Sequence, residues 1–247
     1  MQSDQTLTKD PAFDSALQKY INTLIEEEKK EYKTGIEPFS AHENRVRQSV
    51  TEAVGSFAQS YVNGYLLLLK ELHKTAPNLD LASILTSSEA EKILNTPELL
   101  TNFLDQGYAL YQLLGFSNEQ MTALYSAAHH LIQEKKFTEA KDAFLFLTTI
   151  APTLSPCWLG LGYSYSQCDV HDKALEAFNR ALQLDPHNAE GYLALHTQYM
   201  QMHERNQALQ TLETGIALAM QHRGEEWAET LGGILETSKN QIDTQTK

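Results

Sequence analysis

Long apolar runs are missing from this 247-residue chain. The densest one, Tyr65 to Leu69, is far shorter than the roughly 20 residues a helix needs to cross a bilayer. Cysteine is scarce as well: Cys157 and Cys168 are the two present. They fall in one predicted helix, three turns apart, where they neither pair with each other nor match a metal-ligand spacing, which points to a reducing cytosol. Basic residues are outnumbered, 19 against 32 acidic, for a net charge of −13. The deficit is shared between the halves, with 10 basic and 16 acidic residues over 1–115 and 9 and 16 over 116–247, so no basic patch marks a nucleic-acid or anionic-membrane surface. The start of the chain, from Met1 to Lys30, carries acidic side chains and no continuous apolar stretch, so no secretory signal is expected there. No Gly-rich phosphate loop, nucleophile elbow, HExxH or paired catalytic carboxylate pattern occurs, so neither catalysis nor a cofactor is expected.

A regular internal period takes the place of all these. Ala140, Ala174 and Ala208 stand 34 apart, and the same pattern recurs around each. Early in each unit comes Leu124, Trp158 or Tyr192, then the pairs Ala127–Ala128, Leu161–Gly162 and Leu195–His196, then Leu131, Tyr165 and Tyr199. Beyond the alanine lie Phe144, Phe178 and Leu212, then Leu147, Ala181 and Gly215, then Pro152, Pro186 and Met220. Small residues fit where two helices of a hairpin cross, bulky ones fill the gaps, and each proline ends a second helix. The pattern resembles the tetratricopeptide repeat, two antiparallel helices per unit. It predicts an all-α chain: three tetratricopeptide repeats at 121–154, 155–188 and 189–222 forming an α-solenoid. Leu147 and His196 are large where small residues are usual, and Met220 replaces the last proline, so the third unit's second helix is expected to run on to about Gly224.

Ahead of the repeats the chain reads as a helical N-terminal extension. Asp10–Pro11 opens a helix over about 11–33, with a stripe of Phe13, Leu17, Tyr20, Ile21 and Leu24; Glu26 to Glu31 with their lysines form a solvated face. After a linker, Ser40 with Glu43 reads as a capping box. Val46, Val50, Val54, Phe57, Tyr61, Tyr65, Leu68 and Leu72 then share one face of a long helix that stops before Pro77. Residues 75–88 read as a loop, and Thr96–Pro97 opens a helix closed by Gly115. Ser117 and Gln120 form a second capping box. At the far end Trp227, Leu231, Ile234 and Leu235 predict a C-terminal capping helix over 225–238, which a solenoid needs to cover its last repeat, followed by a polar, frayed tail. The domain division is therefore 1–95, the extension, and 96–247, the repeat domain.

The stretch from Thr96, with Gly107, LLGFSNEQMTALYSAAHHLIQEKKFTEAKDAF, PCWLGLGYSYSQCDVHDKALEAF and LALHTQYMQ, resembles the class II chaperones of bacterial type III secretion (the SycD/LcrH family). His196 is similar to what that family carries in its third repeat. The resemblance covers about 96–238. It implies a non-enzymatic chaperone of the bacterial cytoplasm that holds hydrophobic, pore-forming translocator proteins before export. It also implies homodimers through the N-terminal region. The stripe from Val46 to Leu72 suits such a dimer seam or an intramolecular core, and the residues leave both open.

The first helices of stacked repeats line a concave face on which an extended peptide can lie. The resemblance places a peptide-binding groove at Tyr125, His129 and Ile132, then Leu159, Tyr163 and Ser166, then Leu193, Thr197 and Met200. Adjacent His129 and His130 point about 100° apart on a helix, and no acidic or Cys partner is expected at helical spacing, so they read as groove or structural residues and no metal site is expected. Cys157 and Cys168 read as inert core residues, and His196 as a packed, hydrogen-bonded one. An adaptor clamping a C-terminal carboxylate would need Lys and Asn in the first repeat and basic residues in the third, where this chain has Tyr125, His129, Glu190 and Leu193 or its neighbours. A generic repeat scaffold for some other complex is the surviving alternative.

Overall fold

The computed structural model describes residues 11–32, 38–76, 110–221 and 225–245. All regular structure among them is helical, in the order α1 (Pro11–Glu31), α2 (Phe39–Thr75), α3 (Leu110–Leu113), α4 (Asn118–Gln133), α5 (Phe137–Ile150), α6 (Ser155–Gln167), α7 (His171–Leu184), α8 (Ala189–Gln201), α9 (Arg205–Gln221) and α10 (Glu225–Gln245). The chain forms two compact units, Met1–Val62 and Asn63–Lys247, with the boundary inside α2. The loop over 75–88, the helix opening at Thr96–Pro97 and the division at 95/96 lie outside the described residues, except for Thr75, which ends α2, and Ala76.

In the first unit α1 and α2 are tied by polar contacts, Glu28 to His42 and Arg47 Nη2 donating to Asn22 Oδ1 at 2.9 Å. The stripe on α1 is rotated from the one expected: Ile21 and Ile25, one turn apart, are buried, whereas Tyr20 is 57 % exposed. The expected capping box at Ser40 and Glu43 is not used. The helix already begins at Phe39, which puts Ser40 in its first turn, and Glu43 instead accepts two bonds from Arg47 one turn on.

In the second unit α4–α5, α6–α7 and α8–α9 are three helical hairpins, and the repeat pattern maps onto their core. Leu124, Leu131, Ala140, Phe144, Leu147, Ala174, Ala181, Ala208 and Leu212 have no exposed surface. Close approach requires glycine at several places, Gly162 and Gly215 among them. A Cβ on Gly162 would lie 2.6 Å from the Phe178 ring, and one on Gly215 2.8 Å from Tyr192. The aromatic near the start of the second and third units also joins one repeat to the one before: Trp158 Nε1 donates to the Pro152 carbonyl (2.9 Å), and the Tyr192 hydroxyl to the Pro186 carbonyl (3.1 Å). Each proline thus ends a helix and leaves a free carbonyl that the next repeat's ring polar atom finds.

The turns inside the hairpins repeat too. Lys135, Asp169 and His203, at equivalent places in the three units, all take left-handed backbone, with φ of 59°, 58° and 62°. After each, an amide reaches back to the end of the preceding helix: Lys136 to Leu131, Val170 to Tyr165 and Glu204 to Tyr199. This is the Schellman closure of a helix. Gly115 (φ 82°) closes α3 in the same way, with the Phe116 amide bonded to the Tyr111 carbonyl. At the start of α4 the expected capping box is present, Ser117 Oγ accepting from the Gln120 amide and Gln120 Oε1 from the Ser117 amide.

Residues 63–75 of α2 fold back on the first hairpin. Gly64 abuts the main chain of α5 so closely that a Cβ would lie 2.0 Å from the Asp142 carbonyl oxygen, Tyr65 meets Phe146 with ring centroids 5.4 Å apart, and Leu68 and Leu72 are buried. At the other end α10 covers the third hairpin, with Leu231 against Ala189 and Leu212. His196 ties it down, Nδ1 donating to the Ala208 carbonyl (3.2 Å) and Nε2 accepting from Ser238 Oγ (3.2 Å). One buried imidazole therefore bridges α8, α9 and α10, which explains a large residue at a crossing where small ones are usual. Without a proline, α9 runs to 17 residues against 14 for α5 and α7, ending at Gln221; residues 222–224 are outside the description. The capping helix is longer than the expected 225–238. Nothing after Ser238 breaks it, and its backbone stays helical to Gln245, through the tail expected to fray.

Candidate peptide-binding groove

The nine residues assigned to the groove fall on α4, α6 and α8, the first helices of the three hairpins. On each helix they follow a spacing of four and then three, which keeps them on one face. All nine retain solvent-accessible surface: His129, Tyr163 and Thr197 are exposed and the other six half-buried.

The local surroundings differ along the row. Tyr125 stacks on His129 with centroids 6.3 Å apart and sits edge-on to buried Phe144 at 5.9 Å. Burial pushes the Tyr125 hydroxyl above its ordinary range, and the Cys157 and Glu190 side chains add to this, so the phenol stays protonated as a hydrogen-bond donor. Leu159 packs beside the Ala174–Phe178–Leu195 cluster, leaving one flank free. Tyr163 is 43 % exposed and touches Phe137 edge-on at 6.2 Å. Ser166 Oγ reaches across to Gln201 Oε1 on α8 (3.2 Å). Leu193 packs against the cluster of Ala189, Leu212 and Leu231 while still lining a shallow depression with His187, Asn188 and Glu190. The Thr197 hydroxyl is already committed to the Leu193 carbonyl of its own helix (2.8 Å). Ile132 and Met200 are half-buried.

Tyr125 and His129 are thus brought into direct contact, as are Ser166 and Gln201, whereas Leu159 and Leu193 each lean into separate core clusters. Phe137, Phe144 and Gln201 support the row and were not picked out from the sequence. The repeat pattern marks Phe144 as a core position only, and Phe137 and Gln201 lie outside the positions it marks. The resulting surface is apolar and aromatic, with hydroxyl and amide groups at intervals. It suits the side chains and unpaired backbone of an extended peptide.

Cys157 is buried, and its thiol is pushed up to about 12 by that burial, which leaves it un-ionised and unreactive at neutral pH. His130 points away from the row. Its Nδ1 lies 3.5 Å from Oε2 of Glu71, and Glu134, one turn further along, sits beside them. Glu134, four residues after His130, is an acidic partner at helical spacing, contrary to the expectation that none stands there, and Glu71 comes from α2. Among the described residues no helix is long and apolar enough to cross a membrane.

Comparison with known proteins agrees with the repeat geometry. A family model described as tetratricopeptide repeat matches residues 171–229. Protein bimA of Emericella nidulans is 40 % identical over 70 residues, 28 % of this chain and 9 % of that protein. Anaphase-promoting complex subunit 3 of Dictyostelium discoideum is 32 % identical over 80 residues, 32 % of this chain and 8 % of the relative. The chain therefore spans less than a tenth of the length of these curated relatives. Among solved structures, a chain of a T3SS complex from Aeromonas hydrophila matches with a TM-score of 0.53 and 21 % identity, covering 60 % of this chain and 99 % of that one. The fold is an all-α solenoid of tetratricopeptide repeats.

Proposed function

We propose that this protein is a non-enzymatic chaperone of a bacterial type III secretion system, acting in the cytoplasm on hydrophobic translocator proteins before their export. The client enters as an extended segment along α4, α6 and α8. The observation that carries this reading is the row of accessible apolar and aromatic side chains on the first helices, above all Tyr125, Leu159 and Tyr163. Such a row gives pockets for alternate side chains of a strand-like peptide, while groups such as Gln201 meet its backbone. The likeness in fold to a chain of a T3SS complex is in keeping with it. On this reading residues 96–247 are the chaperone domain and 1–95 an extension that serves homodimer formation.

The test is a pull-down from the cytosol of the source bacterium with the intact chain and with a Tyr125→Glu, Leu159→Glu double variant, the retained proteins being identified by mass spectrometry. Each substitution adds a charge at a half-buried position of the row without removing a fully buried core side chain, so helicity should stay unchanged by circular dichroism. A protein with long apolar segments, retained by the intact chain alone, is the expected result. Equal retention of soluble, non-secreted partners by both forms would refute the groove and favour a scaffold that works through another surface.

A further inference from the structure

The strongest feature outside the groove is the contact between α2 and α4. Glu71 is 2 % exposed, yet its Oε2 has no hydrogen-bond partner, and neither has Nδ1 of His130, which faces it at 3.5 Å. Two buried atoms of complementary type, aimed at one another but too far apart to bond, are costly to a fold unless something else joins them. Glu134 completes the set: one ligand atom from each of Glu71, His130 and Glu134 lies within 4.8 Å of the other two.

We infer that Glu71, His130 and Glu134 bind a divalent transition-metal ion of the zinc type, which joins the end of α2 to α4. Metal–ligand lengths of about 2.0 to 2.2 Å in a tetrahedral site put neighbouring ligand atoms about 3.4 Å apart. The 3.5 Å between His130 Nδ1 and Glu71 Oε2 already equals such an edge. Glu134 is exposed and can close the third corner by a change of rotamer. The remaining carboxylate oxygens are engaged: Lys74 Nζ holds Glu71 Oε1 at 2.6 Å, and Lys136 Nζ holds Glu134 Oε2 at 2.8 Å. These ammonium groups orient the carboxylates and offset their charge, so one oxygen of Glu71 is directed at His130. An imidazole with two carboxylates selects for zinc, cobalt or nickel over calcium and magnesium, which take six or more oxygens. Three protein ligands leave the fourth position to water. This inference does not depend on the client reading.

The test uses the full chain stripped with a chelator, titrated with zinc by calorimetry and with cobalt by visible absorption. One ion per chain with the intense d–d bands of tetrahedral cobalt is expected. His130→Gln and Glu71→Gln should each weaken binding by at least ~100-fold. Glu134→Gln, at an exposed position, should weaken it ~10-fold or more. His73→Gln, close to Glu71 in sequence and exposed, should bind as the parent does. Absence of tetrahedral cobalt bands, parental affinity in His130→Gln, or an equal loss in His73→Gln would overturn the inference. If Glu71→Gln proves misfolded by circular dichroism, the His130 and Glu134 variants decide.

Discussion

Replacing Gly64 with alanine sets two effects of opposite sign against each other. In a helix interior alanine is favoured over glycine by about 1 kcal/mol, and an unobstructed site gains that amount. At Gly64 the new methyl group would lie 2.0 Å from the carbonyl oxygen of Asp142, 2.6 Å from its carbon and 3.1 Å from the Ala143 nitrogen. All three are main-chain atoms of α5, which cannot rotate aside as a side chain can. Residues 63–75 of α2 must therefore lift by more than about 1 Å, loosening Leu68, Leu72 and the Tyr65–Phe146 contact, and overpacking of this kind costs ~1–3 kcal/mol. The clash outweighs the propensity gain, and Gly64→Ala is expected to lose about 1–2 kcal/mol net. Gly232→Ala and Gly233→Ala supply the control, since a Cβ on either meets nothing within 4 Å; each should gain ~0.5–1 kcal/mol. Urea unfolding of the three variants, compared at equal m-value, measures the difference. A midpoint for Gly64→Ala that rises with those of the α10 variants would refute the close approach of α2 to α5.

The left-handed turn residues give a second expectation. Glycine at Lys135, Asp169 or His203 relieves a backbone strain and should raise stability by about 0.5–1 kcal/mol each, while valine at the same places should lower it; thermal melts would show three similar steps. Cysteine chemistry gives a third. In the folded chain an alkylating reagent at neutral pH should modify Cys168 and spare Cys157, as read by mass spectrometry, with both labelled in denaturant. Because burial raises the Cys157 thiol from 9.0 to about 12, the unfolded chain gives up that proton first; the contribution to stability is full below about pH 9 and is lost as pH climbs toward 12, so a denaturation midpoint rising over that range would contradict the burial.

The repeats were legible because the same physical demand recurs in every unit. Small residues at Gly162 and Ala174 and bulky ones at Phe178 announce a helix crossing before any coordinate is known. The turns were harder to read: Lys135, Asp169 and His203 adopt a conformation that usually selects glycine, so composition gave no sign of it. Contacts between helices distant in sequence were not readable either. The stripe ending at Leu72 left open whether it packs inward, and Gly64 was not singled out, because its role depends on the carbonyl of Asp142, far along the chain in another helix. Glu71 and His130 likewise belong to segments that share no local spacing. The groove positions came from periodicity and family resemblance, while their supports, Phe137, Phe144 and Gln201, emerge from three-dimensional packing.

The seal that α10 makes over the third hairpin, through Leu231 and the imidazole of His196, also bears on how such a chain can lengthen. A repeat placed beyond α10 would find the face of the third hairpin already covered by that helix. Duplication of an interior unit meets no such obstacle. A second copy of 155–188, placed at either of its own borders, presents to each neighbour the faces that neighbour already packs against, with Pro186 and Trp158 in register to make the same carbonyl link. With the outer face of the third hairpin covered, the interior of the array is where a further unit finds matching faces.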